Sequence, residues 1–444
     1  MSRPKSNSKN RYAVVRVIAM IALICLIGRL FYIQIIKHSK YEQIAVSQQT
    51  QDIAIEAKRG TITDRDGNIL AISATAYKVV MAPKLIDSED LREKICDGLS
   101  SALSEDRDKI YEMTLKNVQS VEVVRRVEKD IADKVSDFIS EDKDYAAIIT
   151  VTEDPKRYYP NGNTLSTVLG LVGADNQGLE GLEYLYDDYL TGTAGKLVAT
   201  KTSIGTSMPF SYERQVDPKD GCTVELTVDL KMQAMLESEI NNARVEHNVQ
   251  NRIAGVIMDV NTGEILAMTS KPDFDPNENY VINDELTLEA LAAEFEVGST
   301  EYYKAYNEKF AEYKKNKCLE AYEPGSTFKI FTASMALEEN LVSLEETFFC
   351  SGHLDIGPTR VNCHKRTGHG SEHLKEGLAN SCNPVFMTLG MRIGQEKFYD
   401  YLTVFGLRDK TGVGLPGEQT GYHHSLKTMT TLDLAESAFG QTFK

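Results

Sequence analysis

EPGSTFK, at residues 323–329, places Ser326 and Lys329 three residues apart behind a Pro-Gly turn. An apolar helical pattern follows and continues to Leu337. Residues i and i+3 share one face of a helix, so the Lys329 amine is expected beside the Ser326 hydroxyl. A lysine shielded from water becomes neutral more readily and can then take the proton of a serine. The stretch therefore predicts an enzyme that forms an acyl-enzyme at Ser326.

A second element, Ser381-Cys382-Asn383, lies downstream and supports this interpretation. A Ser-x-x-Lys, a Ser-x-Asn-type element and a later Lys-Thr-Gly are together typical of penicillin-binding proteins and class A β-lactamases. Taken alone, Ser381 and Asn383 also fit ordinary helix capping, and only their company with Ser326 favours chemistry. Other Ser-x-x-Lys spacings stand in charged or polar surroundings that predict no pocket, beginning at Ser2, Ser6 and Ser140.

Seven further segments carry a resemblance to one family. In order they read RGTITDRDG (59–67), RYYP (157–160), LGLVG (169–173), GLEGLE (178–183), VIMD (256–259), TGEILAM (262–268) and TGVGLPGE (411–418). The first four resemble the motifs of a pedestal domain, and the next two resemble the opening hairpin of a catalytic domain. With the serine motifs, they resemble a class B penicillin-binding protein, a membrane-anchored peptidoglycan DD-transpeptidase of the division or sporulation type.

The resemblance implies an α+β protein with four parts. We expect a cytoplasmic tail (1–16), a transmembrane signal-anchor (17–36), an elongated pedestal or dimerisation domain (37–217) and a transpeptidase domain (218–444). The last resembles the penicillin-binding and serine β-lactamase fold. Direct catalytic roles are not expected in the pedestal, whose motif residues set turns and packing.

The resemblance also implies a role for each site residue. Ser326 would attack the penultimate D-alanine carbonyl of a stem peptide, and Lys329 would accept its proton. Ser381 would relay a proton to the leaving amine, and Asn383 would hold the substrate amide. This chemistry requires no cofactor.

The third motif is missing from its expected place. Lys410-Thr411-Gly412 runs into Leu415-Pro416-Gly417-Glu418, which is typical of a loop, whereas the active-site motif must lie on a strand that pairs with the substrate backbone. We therefore expect a C-terminally truncated member with an incomplete transpeptidase domain, inactive or impaired in this form. This expectation keeps a non-catalytic role open, as a β-lactam-binding sensor or a cell-wall scaffold. A β-lactamase is a further rival, which the anchor and pedestal disfavour.

Charge is distributed unevenly along the 444 residues, whose formal net charge is −16. The basic residues before the apolar run 17–28 predict a cytoplasmic N-terminus and an extracytoplasmic catalytic domain in the cell membrane. Bulky residues occupy the zone where a signal peptide would be cleaved, so an uncleaved anchor is favoured over a signal peptide or a core helix. No basic patch lies beyond the N-terminus, and nucleic-acid binding is therefore not expected.

Local patterns predict the main elements. Residues 62–80 are expected to form strands around an Asp-Gly turn, and 87–144 to be helical, with an amphipathic period through Val127, Ile131, Val135 and Ile139. A strand at 224–229, a helix at 231–246 and two strands at 252–258 and 264–268 are expected next. Residues 285–317 are interpreted as an insertion that forms a solvated surface helix.

The seven cysteines indicate little by spacing. Cys350 and Cys363 bracket a short loop, where a disulfide is plausible outside the cytoplasm. These cysteines with His353, His364 and His369 also raise the question of zinc. Their spacing fits no standard ligand pattern, so no metal is expected.

The expected partners follow from the resemblance. They are peptidoglycan stem peptides, β-lactams, the membrane through one N-terminal helix, a membrane-embedded glycan polymerase and other cell-wall complex proteins.

Overall fold

A computed structural model of the chain describes residues 8–38, 50–200, 214–249, 251–278 and 280–444. Helices and strands both form extensively, which confirms the predicted α+β class. The α-helices are α1 (Ser8–Phe31), α2 (Glu89–Leu103), α3 (Arg107–Thr114), α4 (Lys129–Ser140), α5 (Lys143–Ile148), α6 (Ser166–Leu169), α7 (Gly181–Leu185), α8 (Asp187–Leu190), α9 (Leu230–Glu246), α10 (Glu285–Glu294), α11 (Thr300–Tyr313), α12 (Lys329–Glu338), α13 (Leu374–Ala379), α14 (Asn383–Ile393), α15 (Gln395–Val404) and α16 (Thr431–Ser437). The strands are β1 (Thr50–Ile55), β2 (Ile62–Thr63), β3 (Ile69–Ala74), β4 (Tyr77–Met81), β5 (Val121–Val127), β6 (Ile149–Glu153), β7 (Lys156–Tyr158), β8 (Gly195–Thr200), β9 (Arg214–Val216), β10 (Val224–Glu225), β11 (Ile253–Met258), β12 (Ile265–Lys271), β13 (Thr347–Cys350), β14 (His353–Ile356), β15 (Thr359–Asn362) and β16 (Gly370–His373).

The N-terminal helix α1 continues into a π-helical segment, Tyr32–Ile36. The stretch Val15–Ile36 has 22 residues and a mean hydropathy of 2.2, and none of it is buried against the described residues. At about 1.5 Å per residue it extends about 33 Å, enough to cross the hydrocarbon core of a bilayer. The predicted span therefore coincides with an apolar helix of membrane-spanning length. Part of the predicted tail, 1–7, lies outside the described residues.

The chain forms two compact units. Among the described residues, the first contains those within 1–62, 71–158 and 188–224, and the second contains those within 63–70, 159–187 and 225–444. The predicted domain boundaries at 37–217 and 218–444 include segments outside the described residues, and they stay predictions.

The first unit contains two antiparallel three-stranded sheets, ordered β1-β8-β9 and β5-β4-β6. In the second of these, Val79 of the central strand lies opposite Val151. Helices α2 to α5 pack against this sheet, and their apolar faces supply Leu99 and Val135, both 0% exposed. The predicted amphipathic helix is confirmed as α4, because its buried residues recur at helical spacing.

The prediction of continuous helix over 87–144 was wrong for β5. Residues 121–127 read VEVVRRV, a run rich in β-branched side chains, and the strand pairs antiparallel with β4. Val127 therefore ends a strand, and α4 begins only after Glu128. Pairing with the edge of β4 stabilises this strand, although the flanking charged residues favour a helix.

The second unit opens with a hairpin and a helix that match the prediction. β11 and β12 pair antiparallel around a turn in which Gly263 has φ +80°. α9 lies against the hairpin, and its Gln233 side chain forms two hydrogen bonds with the backbone of Met268, of 2.9 and 3.0 Å. The predicted strand at 224–229 is shorter, since only Val224–Glu225 is regular.

The remainder of the second unit is a helical body that carries the serine motifs. Helices α12, α14 and α16 contact one another around an apolar core. Its fully buried members include Met335, Ala336, Phe386, Leu389 and Ala438, all 0% exposed. The antiparallel pair of β13 with β16 and the hairpin of β14 with β15 lie beside this body.

The stretch 285–317 is only in part a solvated surface helix, which corrects the prediction. It forms two helices, α10 and α11, and α11 buries Tyr302, Phe310 and Tyr313. The centroids of the Phe310 and Phe274 rings lie 6.0 Å apart, and the rings meet edge to face. The aromatic residues of this stretch recur at helical spacing, and that spacing was the signal of a packed face.

Candidate active site

The predicted nucleophile, Ser326, lies in the 3₁₀ turn Gly325–Phe328, called the nucleophile turn below, which runs directly into α12. Gly325 has φ +61°, a conformation that glycine adopts without strain. Its N–H donates to the carbonyl of Gly440 at 2.9 Å. A Cβ on Gly440 would lie 2.0 Å from the Gly325 carbonyl oxygen, so the two backbones approach as closely as glycine permits. This contact fixes the turn that presents Ser326, which is exposed.

The predicted site residues converge on the amine of Lys329. Its Nζ lies 3.2 Å from Ser326 Oγ and 2.9 Å from Ser381 Oγ. It also donates to the Ser381 carbonyl and to Asn383 Oδ1, both at 2.7 Å. The Ser381 hydroxyl in turn donates to Ser326 Oγ at 2.9 Å. The two serines and the lysine therefore form a closed triangle of hydrogen bonds.

Burial sets the protonation of Lys329. The residue is 1% exposed, and the rings of Phe386 and Phe439 lie 5.6 and 5.9 Å from its Nζ. Burial lowers the pKa of Lys329 to about 8, while the neighbouring thiols of Cys363 and Cys382 act in the opposite direction. A lysine with this pKa is neutral often enough near pH 8 to accept the serine proton.

The second motif occupies a sharp turn between α13 and α14. Ser381 has φ +50°, a left-handed conformation that is uncommon for a serine, and its N–H donates to the Leu378 carbonyl at 3.0 Å. This backbone directs the Ser381 hydroxyl at Ser326. Asn383 begins α14, and its Nδ2 donates to the carbonyl of Asn362 at 3.2 Å. With the amide thus oriented, its Oδ1 faces the lysine.

Lys410-Thr411-Gly412 lies in a loop, in agreement with the prediction that it is not the third active-site motif. The N–H and the hydroxyl of Thr411 both donate to Glu418 Oε1 at 2.6 Å. These bonds close the loop on itself, so the geometry does not add Lys410 to the site.

The sequence patterns did not predict several other groups that support the site. The Asn362 carbonyl and Gly440 lie far along the chain from the motifs that they contact. Cys350 and Cys363 are free thiols, and they lie in a cluster with His369 and Cys382 whose ligand atoms are all within 4.8 Å of one another. The sequence considered only part of this set, since Cys382 was assigned to the second motif alone.

Two family models match most of the chain. The family model of the penicillin-binding protein transpeptidase domain matches residues 253–443, and that of the penicillin-binding protein dimerisation domain matches residues 54–226. The site residues all lie within the first range.

Individual proteins match nearly the whole chain. The chain is 34% identical over 434 residues to stage V sporulation protein D of Bacillus subtilis, covering 98% of this chain and 62% of that protein. It is 27% identical over 441 residues to the peptidoglycan D,D-transpeptidase FtsI of Escherichia coli K12, covering 97% and 67%. Among solved structures, penicillin-binding protein PBP2 of Helicobacter pylori, in complex with MreC, superposes with a TM-score of 0.68 at 22% identity, covering 89% and 74%.

The first of these relatives is matched over less than two thirds of its own length. The agreement nevertheless extends through both matched domains in their order along the chain. We conclude that the chain belongs to the class B penicillin-binding proteins.

Proposed function

We propose that this protein cross-links peptidoglycan as a serine DD-transpeptidase, and that β-lactams acylate the same serine. The observation that carries the proposal is the triangle formed by Ser326, Lys329 and Ser381, with Nζ 3.2 Å from the nucleophile. A serine with a buried, partly neutral lysine at hydrogen-bond distance is an activated nucleophile.

The first half-reaction forms an ester. Ser326 Oγ adds to the carbonyl carbon of the penultimate D-alanine and passes its proton to Lys329 Nζ. When the tetrahedral intermediate collapses, the C–N bond breaks and the terminal D-alanine leaves. Ser381 Oγ gives this amine a proton and regains one from Lys329, over the 2.9 Å contact.

The second half-reaction resolves the ester. An amine from a neighbouring stem peptide attacks the acyl carbon and forms the new amide. The ester bond to Ser326 Oγ breaks, and this oxygen takes up the proton that the amine loses. Asn383 assists both halves through its position, since its amide is fixed by Lys329 and the Asn362 carbonyl. In this role it would hold the substrate amide beside the nucleophile.

The N-terminal helix supports a membrane location for this reaction. We infer a single-pass protein whose basic N-terminus is cytoplasmic and whose catalytic unit is outside the cell, where peptidoglycan lies. A membrane-embedded glycan polymerase and other cell-wall proteins would be its partners. The relative solved in complex with MreC makes such assembly reasonable.

The test is labelling of the natural protein with a fluorescent penicillin, read by gel and by intact mass. We expect label on the wild type, none on Ser326→Ala, and undiminished label on Ser334→Ala. Ser334 is a matched control because it lies on α12, which directly follows the turn of Ser326, and its hydroxyl donates to the Ile330 carbonyl at 2.8 Å. Label that persists on Ser326→Ala would refute the assigned nucleophile.

Further outcomes separate the rival functions. Slow release of the acyl group fits a transpeptidase, whereas rapid hydrolysis of the drug would show a β-lactamase. A folded wild type that takes no label and still binds cell-wall proteins would favour a scaffold.

A further inference from the structure

Four potential metal ligands converge beside the second motif. They come from four separate places in the chain. Cys350 ends β13, Cys363 follows β15, His369 precedes β16, and Cys382 lies in the turn between α13 and α14. Their ligand atoms all lie within 4.8 Å of one another. The cysteines are 1%, 1% and 0% exposed, and the His369 side chain is 6% exposed.

The spacing of these atoms suits a tetrahedral ion. Donors at typical zinc distances of about 2.0–2.3 Å lie about 3.5–3.8 Å apart along the edges of a tetrahedron. Cys363 Sγ and His369 Nδ1 are 3.7 Å apart. Small movements of the remaining side chains, within the 4.8 Å limit of the cluster, would bring four donors to one ion.

A buried carboxylate adjoins the cluster and points to a cation. Glu372 is 3% exposed, and its Oε1 has no hydrogen-bond partner among the described residues. This oxygen lies 3.9 Å from His369 Nδ1, while Oε2 accepts from Asn380 Nδ2 at 3.1 Å. Burying a carboxylate oxygen without a partner is costly, so a proton or a cation is expected beside it.

We propose that Cys350, Cys363, His369 and Cys382 bind one zinc ion in a closed structural site. Three thiolates and one imidazole are a ligand set that zinc occupies in tetrahedral geometry, and soft sulfur donors disfavour magnesium or calcium. Binding converts the three thiols to thiolates, and their protons pass to solvent. With all four positions filled by side chains, the ion takes no substrate.

The ion would position the active site. Cys382 lies between Ser381 and Asn383, in the turn where Ser381 is held at φ +50°. Cys363 directly follows Asn362, whose carbonyl fixes the Asn383 amide. The bonds from zinc to Cys382 and Cys363 would therefore hold the turn of Ser381 and the Asn362 carbonyl in place. This role rests on the proposed function, whereas zinc binding itself does not.

The test begins with metal analysis of the natural protein, purified without a polyhistidine tag under reducing conditions. We expect elemental mass spectrometry to find about one equivalent of zinc per protein chain, as a structural site implies. Cys350→Ser and His369→Ala should lose this zinc. Cys318→Ser, a thiol bonded to backbone carbonyls elsewhere in the same unit, should keep it. Wild type without zinc, or either ligand variant with full zinc, would overturn the site.

A neighbouring histidine provides a matched control. His364 is exposed, and its Nδ1 lies 3.8 Å from Cys363 Sγ, yet it lies outside the four-ligand cluster. His364→Ala should therefore retain zinc. Loss of zinc from this variant with retention in His369→Ala would overturn the assignment of the fourth ligand.

Measurements on the wild type alone guard against variants that fail to fold. Zinc removed by a chelator should expose three additional thiols to a thiol reagent in the folded protein, and added zinc should protect them again. Cobalt should give the intense visible bands of a tetrahedral thiolate site. A disulfide between two of these cysteines in the native protein would contradict the proposal.

Penicillin labelling distinguishes the two proposals. If zinc binds and Ser326 takes no label, the proposed function fails and the zinc site stands. If the metal-free protein is labelled as fast as the zinc-bound protein, the positioning role is wrong. We expect removal of zinc to slow labelling at least tenfold.

Discussion

At the residue scale, Lys329 combines a buried amine with oxygen acceptors on several sides. Its Nζ has Ser326 Oγ, Ser381 Oγ, the Ser381 carbonyl and Asn383 Oδ1 within 3.2 Å. These oxygens stabilise an ammonium, and burial opposes it. Burial prevails, since the pKa of Lys329 is lowered to about 8. The residue therefore exchanges protons near neutral pH, which a general base requires.

The lowered pKa predicts how acylation depends on pH. Below about pH 8 the amine is mostly protonated and cannot accept the Ser326 proton. The rate of penicillin acylation should therefore fall roughly tenfold per pH unit below that value, and level off above it. Stopped-flow or quenched labelling between pH 6 and pH 9 measures this, with circular dichroism confirming the fold at each pH.

Lys329→Arg provides the matched control. Arginine keeps a positive charge and a similar length but has no neutral form in this pH range. We expect this variant to show no appreciable acylation at any pH tested. A flat wild-type profile, or a variant that acylates at the wild-type rate, would contradict Lys329 as the base.

The sequence anticipated the members of the site better than their supports. Ser326 and Lys329 follow from the three-residue helical spacing, because that geometry is local. The Asn362 carbonyl and the cysteine–histidine cluster depend on contacts between segments distant in the chain. No local pattern encodes such contacts, and the separate spacings of Cys350 and His369 gave no standard ligand motif.

At the element scale, the site is a junction between the nucleophile turn and the segment after α16. Gly440 follows α16, with φ +86°, and its carbonyl accepts the Gly325 N–H at 2.9 Å. The same segment contributes Phe439 to the wall around the Lys329 amine. The packing of α16 is thereby transmitted to the position of Ser326.

This junction makes Gly440→Ala a sensitive substitution. A Cβ there would meet the Gly325 carbonyl oxygen at 2.0 Å, so the nucleophile turn must move. We expect acylation to slow by more than tenfold, together with a loss of unfolding free energy of about 2–4 kcal/mol, from positive-φ strain plus the clash. Labelling kinetics and denaturant unfolding measure the two effects.

Gly417→Ala isolates the backbone strain from the clash. Gly417 also has positive φ, +93°, but no described atom lies within 4 Å of its would-be Cβ. We expect this variant to lose about 1–2 kcal/mol and to keep its acylation rate. Equal acylation rates for the two variants would show that the Gly325–Gly440 contact does not position the nucleophile.

Elements were predicted reliably where local pattern and packing agree. The β11–β12 hairpin and α9 have turn, period and capping signals of their own, including Asp229, whose side chain accepts from the Lys231 and Met232 N–H groups. β5 was missed because its residues form a strand only through the free edge of β4. The buried face of α11 was missed because its partners, such as Phe274, are remote in sequence.

At the scale of the whole molecule, charge and hydropathy are distributed unevenly along the chain. Residues 1–38 carry seven basic and no acidic side chains, whereas the remainder carries 42 bases and 65 acids. The apolar helix, Val15–Ile36, lies at the end of the basic part, and its side chains are exposed in the described structure. An apolar helix of this length that is not buried against any of the described residues is expected to find another apolar environment.

The anchor is tested by charging its centre. Leu23 and Ile24 lie near the middle of the span and are 59% and 63% exposed. Replacing both with arginine should cost about 2.5–3.5 kcal/mol each for insertion, whereas replacing both with alanine should cost far less. We expect wild type and the alanine pair to remain in membranes after an alkaline wash, and the arginine pair to be released.

The intact mass of the mature protein distinguishes an anchor from a signal peptide, since a retained helix adds its full mass. A mature form that lacks residues 1–36, or an arginine pair that stays in the membrane, would contradict anchoring by this helix.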